Sequence, residues 1–139
     1  MRYCPRTTEI RPNVATTRPH YVALACESLF SLAVLNGLCR VPPAAVVYLS
    51  ETALRERATR ELPVTAPTGV FGSILRADWP VIQVQGKELG SAYEEVSSLD
   101  VDLLVLACFP VILRRDWLGL GRQGTLNVHQ SLLPAYRGP

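Results

Sequence analysis

Lysine is almost missing from this chain. Lys87 is the single lysine among 14 Lys and Arg residues, and nowhere do basic residues form a dense run. With a net charge of only +2, this argues against a dedicated nucleic-acid patch, although isolated phosphate contacts stay open. Cysteine is also sparse. Cys4, Cys26, Cys39 and Cys108 are scattered, and no pair has metal-ligand spacing. That excludes a zinc motif and a disulfide framework, and it points to a reducing cytoplasm. Cys26 and Cys108 sit inside apolar runs, where a reduced thiol behaves as a small hydrophobe. Long apolar runs are absent as well. Residues 21–39 come nearest to the roughly 18–20 uninterrupted residues a membrane span needs, but Glu27 and Asn36 break them.

What is present is a repeating alternation. After residues 1–19, whose Arg, Pro and Thr content reads as a flexible tail, "YVALAC" is a short apolar strand. "LFSLAVLNGLCR" follows as a helix ending near Asn36–Gly37. "AAVVYLS" (44–50) and "WPVIQVQ" (79–85) read as further strands, with "ETALRERATRELP" (51–63) helical between them. Residues 86–100 form an amphipathic helix with Leu89, Tyr93, Val96 and Leu99 on one face. "VDLLVLACF" (101–109) is apolar throughout, as in a strand buried on both sides. "RRDWLGLG" is a turn or short helix, and "GTLNVH" a fifth strand. The fold class expected is therefore α/β: a Rossmann-like, doubly wound, mostly parallel sheet, incomplete at its C-terminal end. Residues 20–139 are read as one partial domain.

Ligands of such sheets sit at the carboxyl ends of the strands. The turn after the first strand, "ESLFSLA", contains no glycine, which disfavours a dinucleotide bound through its pyrophosphate. Phe109, Pro110, Val111, Ile112 and Leu113 continue the apolar run past the long strand. They admit two readings: a core-packed connection, or the lining of a pocket for a flat heterocycle. The last strand carries Asn127 and His129 two apart, on one face, with Ser131 in step. An amide can donate to a developing oxyanion and an imidazole can move a proton at neutral pH. A lone histidine is as often structural, but the Asn-x-His pair at a strand end favours chemistry.

"NVHQSLLPAYRG", preceded by "DLLVLACFPVILRRDWL" and "GRQGTLNVH", resembles the signature region of the folate-dependent formyltransferases. The family includes methionyl-tRNA, glycinamide ribonucleotide and sugar-nucleotide formyltransferases. The resemblance implies transfer of a formyl group from 10-formyltetrahydrofolate to a primary amine, carried by methionyl-tRNA or an amino-sugar nucleotide. It assigns Asn127 and His129 to catalysis. Ser131, Leu132, Pro134, Arg137 and Gly138 would shape the site, and Phe109, Pro110, Val111, Ile112 and Leu113 would line the folate pocket. No metal is implied. The Arg-Gly turn at Arg137–Gly138 resembles the transfer-RNA and sugar branches, and the glycine-free first turn departs from the purine branch. Arg55, Arg57 and Arg60 fall where the transfer-RNA enzyme carries a basic loop, a spacing that equally suits a solvated helix face.

The family also uses an Asp some tens of residues beyond the His, and the sequence ends at Pro139 before that position. Asp100, Asp102 and Asp116 all precede the pair. The expectation is that this chain alone is inactive or nearly so, and that it self-associates through an exposed sheet edge. The alternative reading is a non-catalytic remnant, or a folate- or nucleotide-binding module of the same fold.

Overall fold

The computed structural model describes residues 18–50, 69–85, 89–131 and 135. The helix expected over 51–63, with Arg55, Arg57 and Arg60, lies outside them, as do Leu132, Pro134, Arg137 and Gly138.

The described chain runs β1 (Tyr21–Cys26), α1 (Leu29–Gly37), β2 (Ala45–Ser50), α2 (Gly69–Arg76), β3 (Val81–Gln85), α3 (Gly90–Ser97), β4 (Leu103–Ala107), α4 (Arg115–Leu118) and β5 (Thr125–Val128). The strands form one sheet in the order β3-β2-β1-β4-β5, and every pairing is parallel. This is the Rossmann-like, doubly wound arrangement. The chain winds outward from β1 to β3, returns to the centre at β4, and continues to the opposite edge.

β1 and β2 are almost wholly buried because they are covered on both faces. Their residues alternate between two apolar layers. Val22, Leu24, Val47 and Leu49 point to the side that holds α3 and α4, meeting Ala92, Val96, Leu104 and Trp117. Tyr21, Ala23, Val46 and Tyr48 point to the other side, meeting Leu35 of α1 and Val70 and Ile74 of α2. The apolar face expected of α3 is the one observed: Leu89 and Val96 are buried, and Tyr93 and Leu99 pack against the same layer. Burying two such layers is the dominant favourable term in the fold, at about 25 cal/mol per Å² of apolar surface.

α2 has no counterpart in the sequence expectation. Its first turn contains no acidic residue and its start is a glycine, so no local capping signal marks it. The cap comes from elsewhere in the chain. Glu27, just past β1, accepts the backbone N–H of Val70 at 2.8 Å and of Phe71 at 3.4 Å, and the Tyr48 hydroxyl at 2.7 Å. A carboxylate there satisfies helix-end donors and complements the helix dipole. Gly69 lets it approach: φ is +87°, and a Cβ at this position would lie 1.9 Å from Glu27 Oε1.

His20, just before β1, is anchored at the amino end of the sheet. The backbone N–H of His20 donates to Asp102 Oδ2 at 2.9 Å, and its ring Nδ1 lies 3.4 Å from the Asp100 carbonyl. Arg122 completes this cluster, 2.8 Å from Asp100 and 2.6 Å from Asp102. The guanidinium of Arg122 holds the Asp102 carboxyl below its ordinary range, helped by the His20 N–H. In return, the two carboxylates push Arg122 further up. These charges tie together the chain entering β1, β4 and β5 at the amino end of the sheet.

Candidate active site

Parallel pairing puts the carboxyl ends of all the strands on one side, and the winding reverses between β1 and β4, the place where open α/β sheets take their ligands. Three segments meet around it. They are the turn after β1, the loop after β4, and the end of β5 with the residues that follow.

The first turn is built from serines. Ser28 caps α1, its Oγ accepting the Ser31 N–H at 3.0 Å. The fully buried Ser31 hydroxyl reaches across the sheet and donates to the Ala107 carbonyl at the end of β4. Cys26 follows the same path, its thiol donating to the Cys108 carbonyl at 2.9 Å. The β1 and β4 ends are thus stitched together by side chains.

After β4 the chain turns at Cys108, where φ is +54°, and then extends. Phe109, Val111 and Leu113 face inward and pack on the layer beneath α3 and α4. Pro110 and Ile112 face outward, and Ile112 is 95% exposed. The core-packed reading of this loop holds for Phe109, Val111 and Leu113. Alternate side chains fasten it to the core, and the others are displayed to solvent. A large, fully exposed isoleucine on an anchored loop is the kind of apolar contact a ligand covers.

Beside the loop is a cavity of about 440 Å³, within the usual range for small-molecule sites. Val111, Ile112, Tyr93 and Trp117 give it apolar walls, and Glu94, Arg114 and Asp116 line it with charge. Tyr93 and Trp117 meet edge to face, ring centroids 5.7 Å apart, which fixes one wall. Of the five loop residues expected to line a pocket, Val111 and Ile112 do so here. Glu94, Arg114 and Trp117 were not singled out from the sequence, and Tyr93 and Asp116 were named there only as part of an apolar helix face and as an acid preceding the Asn-x-His pair. Tyr93 and Trp117 were visible only as apolar positions, because a pocket wall and a core contact share the same pattern.

β5 pairs with β4 so that Asn127 stands opposite Leu106 and Val128 opposite Ala107. Leu106 packs toward α3 and α4, so Asn127 lies on that face of the sheet. The Asn127 side chain is exposed, and His129 and Ser131 are half-buried. His129 Nδ1 accepts the Ser131 backbone N–H at 3.2 Å and lies 2.9 Å from Ser131 Oγ. With Nδ1 accepting, the neutral ring carries its proton on Nε2. Because Val128 is in register with Ala107, His129 begins its turn beside the start of the Cys108–Leu113 loop. The structure thus places Asn127, His129, Ser131 and the apolar loop at one end of two adjacent strands.

The three aspartates that precede the pair lie elsewhere. Asp100 and Asp102 stand before β4, at the opposite end of the sheet from His129, held by Arg122. Asp116 accepts its neighbour Trp117's N–H at 2.9 Å in the short α4 and lines the cavity. Among the described residues, no group of three His, Cys, Asp or Glu side chains could hold a metal ion. No helix among them is long and apolar enough to cross a membrane.

Comparison with known proteins bears on the same region. The family described as Formyl transferase matches residues 44–139. Methionyl-tRNA formyltransferases of Staphylococcus aureus strains JH1 and Newman are each 40% identical over 75 residues, covering 54% of this chain and 24% of theirs. The chain thus spans about a quarter of the length of these relatives. Among solved structures, glycinamide ribonucleotide transformylase 1 from Symbiobacterium toebii superposes with a TM-score of 0.60 at 20% identity. That likeness, covering 91% of this chain and 59% of the other, is one of fold.

Proposed function

The chain belongs to the formyl transferase family, and from that premise we propose that the carboxyl end of its sheet serves formyl transfer from a 10-formyltetrahydrofolate-type donor to a primary amine. The observation that carries this reading is the placement of Asn127 and His129 together at the end of β5, beside the anchored loop that displays Ile112.

The donor supplies an activated formyl carbon. The amine nitrogen attacks that carbon, charge collects on the formyl oxygen, and the bond to the donor nitrogen then breaks. In this reading, the exposed Asn127 amide donates to the oxygen as its charge grows, an interaction stronger in the transition state than before it. His129 moves the proton from the attacking amine towards the departing nitrogen. Its Nδ1 is engaged by Ser131, so Nε2–H first gives its proton to the departing nitrogen, and the freed Nε2 lone pair then takes the proton shed by the attacking amine. Ser131 acts through His129 as a positioning residue.

The donor's flat heterocycle needs an apolar slot with a polar edge, and the cavity beside the loop offers both. Tyr93, Trp117 and Ile112 provide the slot, and Glu94, Arg114 and Asp116 provide hydrogen-bonding partners. The acceptor proposed is methionyl-tRNA, after the 40%-identical methionyl-tRNA formyltransferases, with an amino-sugar nucleotide as the second candidate. The setting proposed is the cytoplasm.

Incubating the purified chain with 10-formyltetrahydrofolate and each acceptor tests the reading, with enzyme near the donor concentration so that slow transfer is still seen. Formyl product that disappears in both Asn127→Ala and His129→Ala supports it. Transfer that persists in both variants contradicts it.

A further inference from the structure

We propose that Cys26 and Cys108 form a reversible dithiol–disulfide site, closed by low-molecular-weight disulfides, at the carboxyl ends of β1 and β4. The register of the sheet carries the inference. β1 and β4 pair in steps from Tyr21 opposite Leu103 to Ala25 opposite Ala107. The pairing ends there, and the next residues of the two strands are Cys26 and Cys108, 82 apart in sequence, with the Cys26 sulfur in contact with the Cys108 backbone. The last pairs of the ladder fall at the strand spacing of about 4.7–4.9 Å, inside the roughly 4.4–6.8 Å window of Cα separations that a disulfide spans.

The side-chain geometry agrees. The Cys26 thiol already points across the gap, 2.9 Å from the Cys108 carbonyl. Cys108 has φ of +54°, so the chain turns at this residue instead of continuing the strand. Both cysteines are half-buried, at the carboxyl ends of β1 and β4. Burial pushes the Cys26 thiol up, hydrogen bonds from Ser31 and Ser28 oppose this, and the nearby Cys108 sulfur adds to it.

The step balances as ordinary thiol–disulfide exchange. The Cys108 thiolate attacks one sulfur of a small disulfide such as oxidised glutathione and releases one glutathione thiolate. Cys26 then gives up its proton to that thiolate and attacks the Cys108 sulfur, releasing the second glutathione. Two protein thiols are oxidised by two electrons, and one small disulfide is reduced to two thiols. Nothing in this step depends on the formyl-transfer reading.

The test uses the full chain carrying Cys4→Ser and Cys39→Ser, incubated with oxidised glutathione and analysed by intact mass and peptide mapping. The expected product has lost two hydrogen atoms, carries no glutathione, and yields one peptide pair joining Cys26 to Cys108. Dithiothreitol restores the original mass. Closure should be at least about tenfold faster in the folded chain than in urea, because the sheet holds the two sulfurs at high effective concentration. Adding Cys26→Ser should stop the reaction at a glutathione adduct on Cys108. If the double variant does not fold, the unsubstituted chain is mapped with chymotrypsin, which cuts between Cys26 and Cys39 at Phe30 and the leucines. Glutathione retained on both sulfurs, thiols left unmodified, or cross-linking only between copies would overturn the proposal.

Discussion

Ser131 donates its backbone N–H to His129 Nδ1 at 3.2 Å, with its hydroxyl 2.9 Å from the same nitrogen. Two contacts from one residue fix which way the imidazole faces and which nitrogen carries its proton. Removing the hydroxyl leaves the N–H contact in place, so Ser131→Ala should weaken the preference without erasing it. One neutral hydrogen bond has a net worth of about 1 kcal/mol, or about fivefold. The predicted result is a fall in kcat of about that size with KM unchanged, and restoration by Ser131→Thr. Ring ¹⁵N shifts of His129 provide a second check: the Nε2–H form dominates in the unsubstituted chain and loses population in Ser131→Ala.

His129→Ala and Asn127→Ala should be far more damaging. Placed proton-transfer groups and oxyanion donors each contribute about 10²–10³-fold or more. The loss should fall on kcat, and thermal unfolding should move little, because Asn127 is exposed and His129 half-buried.

The capping of α2 by Glu27 makes a sharper structural prediction. A Cβ at Gly69 would meet Glu27 Oε1 at 1.9 Å, and φ of +87° is unfavourable for any L side chain. Gly69→Ala should therefore destabilise the chain by about 2 kcal/mol or more, combining backbone strain with a weakened cap. Gly37→Ala is the control, since nothing lies within 4 Å of a Cβ there. Urea denaturation of the two variants separates the cases.

The charge cluster at the other end of the sheet predicts a pH signature. Arg122 and the His20 N–H lower the carboxyl of Asp102 in the folded chain from its ordinary value of 3.8. A depressed folded value means stability that is present above 3.8 and is lost as pH falls through the lower folded value. Arg122→Gln should lower the thermal midpoint at neutral pH, and the gap from the unsubstituted chain should close as the solution is acidified below 3.8. A constant gap across that range would mean that Arg122 acts through packing alone.

The parts of this fold that a sequence can show are those whose cause is local. β1, β2 and β4 were legible because burial on both faces leaves a continuous apolar run, and α3 because its apolar positions recur at helical spacing. α2 was not legible, because its cap is a glutamate 43 residues upstream of Val70 and its own start is Gly69. The anchoring of His20 was not legible for the same reason: its partners Asp102 and Asp100 lie 82 and 80 positions downstream. Asn127, His129 and Ser131 were legible as a spacing. Their relation to the cavity walls at Tyr93 and Trp117 is a product of tertiary packing, which no local pattern encodes.

The proposed donor site is the loop after β4 with the adjoining cavity. Isothermal titration with a stable, non-transferring analogue of 10-formyltetrahydrofolate tests it most directly, in the unsubstituted chain and in Ile112→Ala. Ile112 is 95% exposed, so its truncation should leave stability unchanged. Losing the apolar contact that a bound ligand would make with it, at about 0.8 kcal/mol per methylene, should weaken binding about tenfold or more. One saturable site is expected, with that loss in Ile112→Ala and none in Arg122→Gln. Absence of saturable binding, or equal affinity in all three proteins, would contradict it.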